Sequence, residues 1–185
     1  DKDALDLRWS FVRNPRRENY KLKNGALELV GGEDGLSAPL GHPTMIAVRQ
    51  EEFDIEATAE LEGEIQLHQR SGASAFYSDE YHYDIFVTKN EDGYAVCLRK
   101  RVADIEVIVA SHAIDYKGSI KLKIVASDEW YTFLYERDGE FTELGRGKTS
   151  LLATEVNGRS FTGTFLGVFT ENGDVKVQSV KCKVK

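Results

Sequence analysis

Trp130-Tyr131-Thr132-Phe133-Leu134-Tyr135-Glu136-Arg137-Asp138-Gly139-Glu140-Phe141-Thr142-Glu143-Leu144 is the stretch whose reading decides the fold class. Residues 130–136 follow a period of two, the repeat of a strand rather than a helix. Asp138-Gly139 then supplies two positions that tolerate positive φ, which is tight-turn chemistry. The run resumes over residues 140–144. Strand, two-residue turn and strand make a β-hairpin.

Outward from this hairpin the same pattern repeats. Toward the N-terminus, strand-like runs cover 7–12, 26–30, 45–49, 53–61, 64–70, 73–77, 81–88, 94–100, 105–110 and 119–126. Toward the C-terminus they cover 164–169 and 175–184. With the hairpin this makes about fourteen short strands at sandwich or barrel spacing. Asn24-Gly25, Asp92-Gly93 and Asn172-Gly173 add further turns. No segment sustains a helical period, and 149–155 offers one helical turn. The expectation is an all-β chain folded as one antiparallel two-sheet jelly-roll sandwich over residues 1–185.

The net charge of −7 disfavours nucleic acid and anionic membrane as partners. No apolar run reaches the length of about 20 residues that spans a bilayer. No signal peptide is visible. The expectation is a cytoplasmic, bacterial protein. The chain starts at Asp1 rather than at methionine, so a fragment of a longer protein is expected. Cys97 and Cys182 form no CxxC pair and read as small hydrophobes.

Glu52-Phe53-Asp54-Ile55-Glu56 is the strongest catalytic pattern. On a strand, Glu52, Asp54 and Glu56 share one face. Three aligned carboxylates suit glycoside hydrolysis by nucleophile and general acid. The pattern resembles the catalytic strand of jelly-roll glucanases and xyloglucan-modifying enzymes. The alternation continues to Glu60 and Glu62, as a solvated strand face would, with Phe53, Ile55, Ala57 and Ala59 turned inward. Gly145-Arg146-Gly147-Lys148-Thr149 looks like the end of a phosphate loop, but Phe141 stands where its first glycine belongs, so it reads as a solvated loop. His42, His68, His82 and His112 show no metal spacing and read as surface or groove residues. No metal ligand set and no cofactor is expected. A structural calcium finds no clustered Asp/Asn loop. Phe76, Tyr77, Tyr81, Tyr83 and Phe86 form an aromatic stripe suited either to a core or to a sugar-binding groove.

Several stretches in order resemble one family. They are Val48-Arg49-Gln50-Glu51-Glu52-Phe53, Ser71 to Tyr77 with His82-Tyr83, Tyr131-Thr132-Phe133 with Asp138-Gly139, and Thr154-Glu155 through Ser160-Phe161-Thr162-Gly163 to Gly167. Together they are similar to the concanavalin-like C-terminal domain of family 43 β-xylosidases. The resemblance implies a non-catalytic module, with the catalytic acids on an N-terminal propeller domain of the same protein. It implies xylo-oligosaccharide or a related sugar as substrate. It implies that Phe161 lends its ring to the pocket rim, with Ser160 where relatives often hold another aromatic. Arg49, Gln50, Thr162 and Gly163 are then structural, and Gly163 permits a tight turn. A stand-alone carbohydrate-binding module and a jelly-roll hydrolase remain the alternatives. Exposure of a docking face makes a homo-oligomer a further expectation.

Overall fold

The computed structural model describes residue 5, residues 7–157 and residues 163–185. In chain order the strands are β1 (Trp9–Phe11), β2 (Tyr20–Lys23), β3 (Ala26–Val30), β4 (Thr44–Arg49), β5 (Ile55–Glu62), β6 (Arg70–Ser78) and β7 (Tyr81–Asn90). They continue as β8 (Gly93–Val102), β9 (Ile105–Ile114), β10 (Ser119–Ala126), β11 (Trp130–Arg137), β12 (Glu140–Lys148), β13 (Phe165–Glu171) and β14 (Asp174–Val184). The first sheet has the order β1-β4-β13-β6-β7-β8-β9, and the second β12-β11-β10-β5-β14-β3-β2. Their pairings are antiparallel, so the fold is the two-sheet jelly-roll sandwich of the concanavalin A-like class. After β12 come a 3-10 turn, Thr149–Leu152, and α1 (Thr154–Asn157), where one helical turn was expected.

The deciding hairpin has Arg137 opposite Glu140, with Asp138 and Gly139 at φ 53° and 82°. Its second strand runs on to Lys148, so Gly145 and Gly147 lie in a strand and not in the expected loop. The reason is packing: a Cβ on Gly147 would stand 2.4 Å from the Tyr83 ring, and one on Gly145 2.8 Å from Leu98. Glycine lets β12 lie against β7 and β8 across the sandwich.

Two other expectations fail. Of the expected strand over 64–70, residues 64–69 form a connection with one bridge, Leu67 to Lys89, and only Arg70 is in a strand, as the first residue of β6. The Gln69 side chain meets polar groups there, accepting from the Gln66 backbone N–H at 2.9 Å and donating to the Asp174 carbonyl at 2.9 Å. Strand β2, which the alternation did not reveal, pairs with β3 across the Asn24-Gly25 turn. Cys97 and Cys182 are free thiols.

Alternation fills the space between the sheets. Ile55, Ala57, Ala59 and Leu61 point inward from β5, and Tyr83, Ile85 and Val87 from β7. Strands β6 and β7 are buried on both faces. On the outer face of the first sheet Met45, Phe86 and Phe169 make a second apolar cluster, into which Leu36 inserts with no exposure. Residues 31–43 therefore form a third layer over that face. β6 has no slack beneath it. A Cβ on Gly72 would sit 1.9 Å from the Ile85 carbonyl oxygen. Gly72→Ala is expected to cost about 1–3 kcal/mol through overpacking, read as a lower Tm by calorimetry. An unchanged Tm would mean that β6 shifts freely.

Candidate functional site

Two clefts gather where β4 ends and β13 begins. The first, about 240 Å³, lies between residues 50–53, Tyr131 and residues 149–155. Gln50 organises it. Its backbone N–H donates to the Thr164 carbonyl at 2.9 Å, its Nε2 donates to the Glu52 carbonyl at 2.9 Å, and its Oε1 accepts from the Tyr131 hydroxyl at 2.7 Å. One residue, through its backbone N–H and its side chain, thus ties the 50–54 connection to Thr164 before β13 and to Tyr131 of β11. Burial pushes the Tyr131 hydroxyl pKa up, against smaller lowering by its hydrogen bonds with Thr164 and Gln50. Gly163 has φ 75°, the left-handed region that favours glycine. Arg49 is exposed at the end of β4, its Nε 3.7 Å from where a Gly163 Cβ would be.

Phe161, Ser160 and Thr162 lie outside the described residues. Their flanks Glu155 and Gly163 both line the first cleft. So does Phe53, which is 71% exposed. This corrects the expectation that Phe53 turns into the core. A larger groove of about 540 Å³, between Arg8-Trp9 and the end of β14, shares Glu51 and Glu52 with this cleft.

The carboxylate row is broken. β5 starts at Ile55, so Glu52 and Asp54 stand in an exposed connection, off the strand that carries Glu56. Glu56 faces outward to Lys185 at 3.3 Å and Lys123 at 3.8 Å. Of the three, only Glu56 therefore sits on a strand face. Among the described residues no group of three His, Cys, Asp or Glu side chains is placed to hold a metal ion. No helix among them is long and apolar enough to cross a membrane.

His82 departs from the surface position expected of it: it is fully buried beneath residues 31–43. Its Nδ1 is 2.7 Å from Asp84 Oδ2 and its Nε2 is 3.0 Å from Ser37 Oγ. Ser, His and Asp so connected have the outline of a nucleophilic relay. The hydroxyl of Ser37, however, donates to Glu106, so its proton is not directed at His82. Asp84 also accepts from Arg99 Nε at 2.7 Å and Ser74 Oγ at 2.6 Å. Arg99 in turn reaches Glu171 at 2.9 Å, and Glu171 accepts the Leu36 N–H at 3.0 Å. Burial pushes the Asp84 carboxyl up, but the charges of His82 and Arg99 and the hydrogen bonds from His82 and Ser74 outweigh it and hold its pKa well below the usual range. The arrangement is a buried ionic network that pins the third layer. Its sequence signal was present in two charges, Asp84 and Arg99, placed mid-strand in apolar runs; they prove to be register partners.

The sequence profile of the beta xylosidase C-terminal concanavalin A-like domain matches residues 1–183. This chain belongs to that family. A non-reducing end alpha-L-arabinofuranosidase of Bacteroides ovatus, BoGH43B, is 28% identical over 172 residues, covering 91% of this chain and 32% of that protein. A solved structure described as Bacteroides ovatus xyloglucan PUL GH43B superposes with a TM-score of 0.92 at 25% identity, covering 100% of this chain and 38% of that one. The GH43 protein BlXynB of Bacillus licheniformis superposes with a TM-score of 0.90 at 21% identity, covering 99% and 38%. The chain thus spans about a third of the length of these relatives. It is a C-terminal domain of the GH43 glycoside hydrolase type.

Proposed function

We propose that this GH43 C-terminal domain is a non-catalytic accessory module. It packs on a preceding catalytic propeller and helps to wall the sugar pocket of an enzyme acting on xylosides or arabinofuranosides. Coverage carries the reading: a family of C-terminal domains matches the chain almost end to end, yet the chain accounts for only 32–38% of its relatives' length. The catalytic acids then belong to the remaining two-thirds. The separation of Glu52 and Asp54 from the Glu56 strand supports assigning no catalysis here. Phe161 is the ring we assign to the pocket wall, with Ser160 beside it. Loops fixed at both ends to a rigid scaffold commonly carry function, and the flanks of this stretch, Glu155 and Gly163, border one cleft with the exposed Phe53.

The chain alone is expected to show no turnover of aryl β-xyloside or aryl α-L-arabinofuranoside. In the protein that joins it to its catalytic part, Phe161→Ala is expected to lower kcat/KM by at least about tenfold, with Tm unchanged. Normal kinetics with a lowered Tm would place Phe161 in the domain's own core, where Phe→Ala costs about 3–5 kcal/mol. Turnover by the chain alone that disappears in Glu52→Gln would move catalysis into this domain.

A further inference from the structure

We infer that the outer face of the first sheet carries a second sugar site: a groove for a single neutral sugar ring, apart from the cleft bordered by Glu155 and Gly163. The inference stands independently of the pocket role of Phe161; that reading only guides the choice of probe sugars. Beside the third layer this face opens into a groove of about 250 Å³. Its floor is carbon. Phe165 and Phe76 are register partners on β13 and β6, and Met45 and Ala47 pack in the same cluster. Its rim is polar: Ser10 and Arg13 from the β1 segment, and Ser78 and Asp79 from the end of β6 and the turn after it.

The rim chemistry selects the ligand. Arg13 and Asp79 are 3.8 Å apart, with side chains 28% and 31% exposed. That separation exceeds hydrogen-bond distance, so this contact leaves the carboxylate free to accept and the guanidinium free to donate. Arg13 also donates to the Ala38 carbonyl, which fixes it to the third layer and holds it over the groove. The pair is neutral in sum. An anion or a cation would match one partner and meet the other as a like charge. A purely apolar ligand would strip water from both charges and return no hydrogen bond, which is costly. A sugar ring satisfies both surfaces, laying its C–H face on the half-buried Phe165, with Phe76 buried below it, and its vicinal hydroxyls against Arg13 and Asp79. Drug-sized ligands occupy pockets of about 300–1,000 Å³, so this groove is sized for one ring rather than a chain.

The test is an amide-resolved NMR titration of the 185-residue chain with xylose, arabinose and xylobiose. Glucuronate and cyclohexanol serve as charged and apolar comparisons. Saturable shifts at Ser10, Arg13, Ser78 and Asp79 are expected, at millimolar affinity and with neutral sugars only. Asp79→Ala should weaken xylose by about tenfold and leave distant amide shifts in place. Asp79→Asn, which keeps an acceptor on the same exposed turn, should retain part of the affinity. Any of three results would overturn the site: no shifts with any neutral sugar, equal shifts with cyclohexanol or glucuronate, or xylose binding unaltered in Asp79→Ala. Shifts confined to Gln50, Phe53 and Gly163 would also overturn it, by moving the sugar to the other cleft. No catalytic domain is present in this titration, so failure of the docking role cannot mimic failure here.

Discussion

Arg99→Met is expected to destabilise the domain by about 3–5 kcal/mol, the range for breaking a buried ion pair by removing one partner. At about 2–4 °C per kcal/mol for a domain of this size, Tm should fall by roughly 6–20 °C. Arg99 is 2% exposed and touches both Asp84 and Glu171, which are buried as well. Removing it leaves Asp84 with His82 alone and Glu171 with only Arg70 at 3.9 Å, so the loss comes from undercompensated charge more than from lost attraction. A corollary follows. Arg99→Met combined with Asp84→Asn and Glu171→Gln should be more stable than Arg99→Met alone, because the residual charges go with the cation. Calorimetry of the single and triple variants decides it. A triple variant less stable than the single would refute this account.

Acid should reveal the same network. Asp84 has a folded-state pKa held below its ordinary value by His82 and Arg99 against the opposing effect of burial. A depressed carboxylate contributes stability that is complete above the unfolded pKa, about 3.9 for aspartate, and is lost as pH falls through the folded pKa. In Arg99→Met one of the two holding charges is gone and only His82 remains beside Asp84, so protonation of Asp84 relieves part of the variant's loss. The stability gap between parent and Arg99→Met should therefore be widest near neutrality and narrow below about pH 4.

The two-sheet architecture was legible because it rests on local signals. Asp138-Gly139 turns the chain with both residues at positive φ, and β5 and β7 alternate as their side chains alternate. What alternation cannot show is a third layer. Residues 31–43, with Pro39 and Pro43, have no period of their own, so nothing local indicated that Leu36 would be fully buried or that His82 would lie beneath it. Glycines misled for the same reason. Gly145 and Gly147 look like loop residues in sequence, yet they sit in β12 because Leu98 and Tyr83 occupy the space a side chain would take. Family resemblance pointed to the end of the sandwich near Gln50 and Gly163, but the hydrogen bond from Tyr131 to Gln50 joins residues 81 positions apart and belongs to tertiary structure alone.

Leu36→Ala should produce the other large effect, about 2–5 kcal/mol, and should do more than weaken the fold. Leu36 is the apolar anchor of residues 31–43, fully buried against the cluster that contains Met45, Phe86 and Phe169. Its backbone N–H also donates to Glu171 Oε1, so the anchor and the ionic network share a partner. Loss of the side chain leaves a cavity under a segment that is held to the sheet by a few hydrogen bonds rather than by a strand ladder. The segment should then open below the global unfolding transition, as weakly packed units do. Hydrogen exchange should accelerate at the Leu36 amide and at the His42 amide, which donates to Asp34 at 2.9 Å, while the amides of β5 and β10 in the other sheet stay protected. Because the two sites share Glu171, the costs of Leu36→Ala and Arg99→Met should fail to add, with a coupling of about 0.5–3 kcal/mol in a double-mutant cycle. Strict additivity, or exchange that accelerates evenly through both sheets, would mean that residues 31–43 are an integral part of one cooperative core and that the ionic network does not act as their latch.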